Sequence, residues 1–229
     1  MTRKTVTDAF YRSVPVMVGY VIIGFGFGIV LRDAGYGLPW AVAMSLFVYA
    51  GSMQYVGVSL ITAPASLLTA ALTTVMINAR HLFYAISMIG KFRGAGKWKP
   101  YLVFALTDET YALLSGETGD RGDFHPFCFF VSLFNHLYWI LGTVLGSLFA
   151  AALPFSTEGV NFSMTALFVS AYTEQWLSGK NRLSAAIGLG VTLLGRMIFG
   201  RDLFLIPSMI LITLVLLALR GRGKEAENV

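Results

Sequence analysis

Charge is scarce in this chain. Only 13% of its 229 residues are Asp, Glu, Lys or Arg, about half the share usual in soluble domains. With 56% hydrophobic residues and a mean hydropathy of +0.69, the shortage excludes an ordinary soluble fold and places the chain in a lipid bilayer. One cysteine, Cys128, excludes an internal disulfide, and a packed apolar role suits a lone thiol. Enzyme motifs are missing as well. There is no H-E-x-x-H, no C-x-x-C and no G-x-S-x-G. Gly179-Lys180 is followed by Asn181 and lacks the upstream Gly of a phosphate loop, and Gly24-Phe25-Gly26-Phe27-Gly28 lacks the dinucleotide spacing. The residues predict no enzyme, no cofactor and no metal site.

What is present is hydrophobic length. A helix needs about 20 apolar residues to cross the hydrocarbon core. Eight apolar segments lie near 13–31, 39–60, 66–90, 100–116, 126–153, 161–178, 183–200 and 203–220. Pro39, Pro64, Pro100 and Pro126 fall at segment starts, where the missing N–H costs nothing. Val14–Leu31 carries no charge and no clear cleavage site follows it, so it reads as an uncleaved first span. The expected architecture is all-α: one polytopic membrane helix bundle over residues 1–229, with seven or eight hydrophobic segments and no separate soluble domain.

Basic residues cluster at segment ends: Arg3, Lys4 and Arg12; Lys91, Arg93, Lys97 and Lys99; Arg220, Arg222 and Lys224. Such clusters mark cytoplasmic loops, and with no soluble fold behind them they predict no nucleic-acid partner. The N-terminus and the 91–99 loop should then share the cytoplasmic side. Three full crossings between them would put them on opposite sides. Either segments 39–60 and 66–90 do not both cross, with a break at Ala50-Gly51-Ser52, or the charge rule fails for one loop. Irregular backbone at membrane depth is allowed where it lines a cavity. The acidic loop Glu117–Asp123 is expected on the outer side.

An internal echo points to paired halves. Leu46–Tyr55 matches Leu167–Trp176 without a gap at five of ten positions, Gln54 and Gln175 included, and with one gap Arg80 falls opposite Arg196. Repeats near 13–90 and 126–200 follow, in an inverted relation with broken or re-entrant helices, as in many secondary transporters. Gly24 and Gly28, and Gly142 and Gly146, are small-xxx-small pairs in the first helix of each half, read as packing positions.

Intramembrane polar groups are expensive and by default functional. Gly51, Ser52, Gln54, Asn78, Arg80, Thr173 and Gln175 are the candidate substrate-binding residues. The amides can donate and accept, and Arg80 can take a carboxylate with two parallel bonds. His81, Asp108, Glu109 and Glu174 are the candidate proton carriers. An Arg80 ion pair with Asp108 or Glu109 is the structural alternative, and an interhelical amide bond is the alternative for the glutamines. His136, beside Tyr138 and Trp139, reads as an interfacial residue.

Three runs together, Ala50-Gly51-Ser52-Met53-Gln54-Tyr55, Asn78-Ala79-Arg80-His81-Leu82-Phe83-Tyr84 and Thr107-Asp108-Glu109-Thr110-Tyr111-Ala112-Leu113, resemble the AzlC family, the large subunits of bacterial branched-chain amino acid exporters. The resemblance covers nearly the whole chain. Tyr55 stands where Phe is common, and Ala85 where Gly is expected. The resemblance implies a multi-pass protein of the bacterial inner membrane that exports leucine, isoleucine, valine and often methionine. It also implies a separately encoded small hydrophobic partner of the AzlD type, with an oligomer of heterodimers allowed. The expected function is therefore a secondary transporter working by alternating access with proton coupling. A non-transporting scaffold subunit and a channel are the rival readings.

Overall fold

The computed structural model describes residues 3–63, 65–117, 122–152, 169, 172–173, 176–177, 182–204, 207–208, 210–216 and 218–219. These residues form helices α1 (Arg3–Asp33), α2 (Leu38–Phe47), α3 (Gly51–Thr62), α4 (Leu67–Asn78), α5 (Arg80–Met88), α6 (Lys99–Phe104), α7 (Asp108–Ser115), α8 (Phe124–Ala152) and α9 (Arg182–Leu203), with a 3-10 turn at Gly96–Trp98. No strand occurs among the described residues. Helices α1, α8 and residues Arg182–Gly200 of α9 are long and apolar enough to cross a membrane. Proline opens α2 and α6 as expected.

α1 and α8 pack along their length, and the four glycines are the reason. A Cβ on Gly24 would meet the Trp139 carbonyl oxygen at 2.8 Å, and one on Gly142 would meet the Val21 oxygen at 2.5 Å. On Gly28 and Gly146 it would strike the Thr143 and Phe25 carbonyls. Only a residue without a side chain lets the backbones come this close. Residue numbers rise together along the contact. Thr5 bonds Asp123, Phe10 meets Phe134 and Ser13 lies 3.1 Å from Tyr138 at one end, and Gly28 faces Gly146 towards the other. The two helices are therefore parallel. The inverted repeat expected from the echo would relate 13–90 to 126–200, and of these two stretches the described residues show the parallel first helices. The segments between them return the chain to its starting end. Most of the 167–176 half of the echo lies outside the described residues.

The end of α1 at Arg3 is taken as the near end, and that at Asp33 as the far end. α2 begins at the far end, where Tyr36 N–H donates to the Leu31 carbonyl and Ala41 is buried with Phe27 and Leu31. It runs inward until Tyr49 stacks on His136 at 4.1 Å between ring centroids. The helix then breaks. Tyr49 has φ +41 and Ala50 φ −132, ψ 75. A left-handed tyrosine costs on the order of 1–3 kcal/mol, so the surrounding packing has to hold it. α3 runs back outward: Gly51 lies against the Trp139 ring, Tyr55 donates to the Ile23 carbonyl at 2.7 Å, and its ring meets Phe27. The 39–60 segment is thus a re-entrant hairpin.

α4 and α5 continue through Ala79, which keeps helical angles (φ −53, ψ −31), and reach the near end, where Met88 and Phe92 pack with Ala9. α6 starts in that same cluster with Leu102 and goes inward to Ala105, which is buried with Tyr20. α7 then returns. Tyr111 stacks on Tyr84 at 4.8 Å. Lys91 Nζ donates to the carbonyls of Leu114, Ser115 and Glu117 at 3.1, 2.5 and 2.8 Å, closing the C-terminal end of α7. Two hairpins therefore enter from opposite ends and meet at their tips.

This arrangement removes the charge conflict. Arg12 and Lys91 sit at one end because 39–60 turns back while α4 and α5 pass through. It also corrects an expectation. Glu117 pairs with Arg12 at 3.2 Å and Asp123 bonds Thr5, so the acidic residues flank the basic ones rather than facing the other side. Segment 100–116 doubles back and cannot carry them across.

Candidate functional site

Where the hairpin tips meet, they leave a cleft of about 490 Å³, its open mouth included. Its walls come from two helix starts, α3 with Ala50, Gly51 and Ser52 and α7 with Thr107, Asp108 and Glu109, and from Arg80 and His81 where α4 passes into α5. Tyr20 and Ile23 of α1, Tyr49, and Trp139 of α8 complete it.

Each start has a local cause. Gly51 lets the start of α3 pack closely on α8: a Cβ there would sit 3.1 Å from the Trp139 ring. No side chain caps α3, so its first N–H groups have no partner within the helix, and its first residues line the cleft. Thr107 caps α7 by accepting from Thr110 N–H, and Asp108 and Glu109 fill the first turn. The partial positive charge of a helix start stabilises carboxylates there.

Arg80 joins the two tips. Its Nη1 lies 2.6 Å from Asp108 Oδ2, and its Nη2 donates to Ser52 Oγ at 2.6 Å. Both members of the ion pair remain partly open, at 22% and 31% side-chain exposure. Glu109 accepts from the Tyr20 hydroxyl at 2.7 Å, and that hydroxyl lies 2.6 Å from Thr107 Oγ1. Thr107 reaches Thr110, whose hydroxyl accepts from Asn135 Nδ2 at 3.0 Å. The adjacent acids thus face different partners, Asp108 a guanidinium and Glu109 a phenol.

Of the residues singled out from sequence, Gly51, Ser52, Arg80, His81, Asp108 and Glu109 come together around the cleft. Gln54 is fully buried and its amide atoms meet no partner among the described residues, but it does not line the cleft. Asn78 does not line the cleft either, and its carbonyl lies 3.1 Å from His81 Nδ1. Thr173 is exposed and donates to the Val169 carbonyl. Glu174 and Gln175 lie outside the described residues. Arg196 is exposed.

Sequence reading missed Tyr20, Tyr49, Thr107 and Trp139. Thr107 was legible as a Thr directly before two acids at a helix start. The others carry no local signal. His136 is a correction: it is buried, not interfacial.

A family model for the AzlC protein matches residues 15–153. The chain is 39% identical to the branched-chain amino acid transport protein AzlC of Bacillus subtilis strain 168, over 96% of this chain and 87% of the relative. It is 38% identical to an uncharacterized membrane protein of Helicobacter pylori strain J99, over 95% and 96%. It is 28% identical to the inner membrane protein YgaZ of Escherichia coli K12, over 69% and 68%. No solved structure matches. Family model, full-length relatives and membrane-spanning helices agree: this chain belongs to the AzlC family.

Proposed function

We propose that this protein is a secondary transporter that exports branched-chain amino acids, with the cleft between the hairpin tips as its substrate site. One observation carries the reading. Two helix starts, one cation and two carboxylates converge on one partly open cleft inside an apolar bundle. A zwitterion needs both signs of charge at a short separation. Its carboxylate would face the uncapped start of α3 and Arg80, and its ammonium would face Asp108. Ile23 and Trp139 would offer apolar surface to the side chain. The name of the Bacillus subtilis relative supports the substrate class.

Glu109, bonded to Tyr20 rather than to a cation, is the group we assign to proton coupling, with His81, which also lines the cleft, as a second carrier. Glu174 keeps its expected role as a proposal. Hairpins entering from opposite ends suit alternating access, since each can move without carrying a whole crossing with it. We place the protein in the bacterial inner membrane, with the near end cytoplasmic as the basic clusters require, and with an AzlD-type small subunit as its partner.

Efflux of labelled leucine from loaded vesicles holding this chain and its small partner tests the reading. Arg80→Ala protein that folds should lose efflux at least tenfold. Native-rate efflux from that variant overturns the site assignment. A wild type that moves no leucine overturns the function.

A further inference from the structure

We propose that the Arg80–Asp108 ion pair is an exchange latch that an α-amino acid opens by inserting between its two members. This deepens the proposed function and rests on it. The guanidinium places one edge on Asp108 of the near-end hairpin and another on Ser52 of the far-end hairpin, both at 2.6 Å. It therefore ties the two tips to each other. Both charged groups line the cleft, so an arriving carboxylate competes directly with Asp108 for the guanidinium.

A carboxylate alone gains little by that exchange. It would strand Asp108 as an unpaired anion in a low-dielectric site, beside Glu109. An ammonium alone would take from Arg80 its carboxylate counter-ion. A zwitterion replaces one ion pair by two: its carboxylate takes Arg80 and its ammonium takes Asp108. Charge in the site is unchanged, and no group is left without a partner. Inserting the substrate also separates Arg80 from Asp108, so the contact that holds α7 against the Arg80–Ser52 side opens only when both ends of the substrate are in place. The latch selects for a free α-amino group together with a free α-carboxylate, and it couples that recognition to freedom of the hairpins.

Equilibrium binding to the purified protein tests this with three probes: leucine, its 2-oxo acid, which lacks the ammonium, and leucinamide, which lacks the carboxylate. In the wild type, the 2-oxo acid and leucinamide should each displace labelled leucine at least 100-fold less well than leucine does. In Asp108→Asn, leucine should bind at least tenfold more weakly while the 2-oxo acid binds at least tenfold more tightly, because Arg80 no longer has a competing carboxylate. A shift of both ligands in the same direction, or none, overturns the latch and leaves the transport reading standing. If Asp108→Asn does not fold, the wild-type competition decides alone: a 2-oxo acid or amide that competes as well as leucine overturns the latch. A wild type that binds no leucine overturns both readings.

Discussion

His136 Nε2 lies 3.0 Å from the carbonyl oxygen of Ser45. In an unbroken helix that oxygen would take the N–H of Tyr49, but at the hairpin tip Tyr49 N–H bonds Met44 instead. The imidazole occupies the acceptor that the break sets free. Its Nδ1 faces the Tyr101 hydroxyl at 3.0 Å, and its ring supports the left-handed Tyr49. One side chain of α8 thus joins the inward arms of both hairpins.

Removing that ring's polar atoms should be costly. His136→Leu leaves the Ser45 carbonyl and the Tyr101 hydroxyl unpaired, and an orphaned buried group costs about 1–3 kcal/mol. His136→Gln, which can donate to one and accept from the other, should recover most of the loss. Thermal unfolding in detergent measures both. Equal melting of the two variants would mean that the ring acts by packing alone.

The glycine seam gives a second expectation. Gly146→Ala drives a methyl into the Phe25 carbonyl and should destabilise by about 1–3 kcal/mol, the usual range for overpacking. Gly19→Ala, where nothing lies within 4 Å, should stay within about 0.5 kcal/mol of the wild type. The same melting assay checks the pair, and a tolerant Gly146 would deny the close crossing.

Hairpin topology predicts which positions share a membrane side. With Cys128 buried, single cysteines report cleanly. Thr7→Cys, Lys97→Cys and Ser115→Cys should react with an impermeant thiol reagent from one face, and Asp33→Cys and Ala63→Cys from the other. These positions are all exposed. Ser115→Cys labelling from the far face would convert the α6–α7 hairpin into a crossing and undo the cleft.

Glu109 and Asp108 should separate in function. Glu109→Gln keeps a group that can accept from Tyr20 but cannot carry a proton. Leucine efflux driven by a pH gradient should fall at least tenfold, while leucine–leucine exchange without a gradient persists. Vesicle flux under the two regimes measures this. Loss of both together would move Glu109 from coupling to substrate binding.

Much of this was legible along the chain because it follows from local physics. Low charge and long apolar runs dictate a membrane bundle, the glycine spacing on α1 and α8 reads as close packing, and two basic clusters separated by three segments leave either a segment that turns back or a loop that breaks the charge rule. The family was legible too, in the runs around Gly51, Arg80 and Asp108. Tertiary structure decided what sequence spacing cannot encode. It decided that Arg80 meets Ser52 and Asp108 at once, that Tyr20, 89 residues away, holds Glu109, that Gln54 stands off the cleft, and that α1 and α8 run parallel. A polar residue in an apolar run announces only that it needs a partner, and which partner it meets depends on where the broken helices end in space.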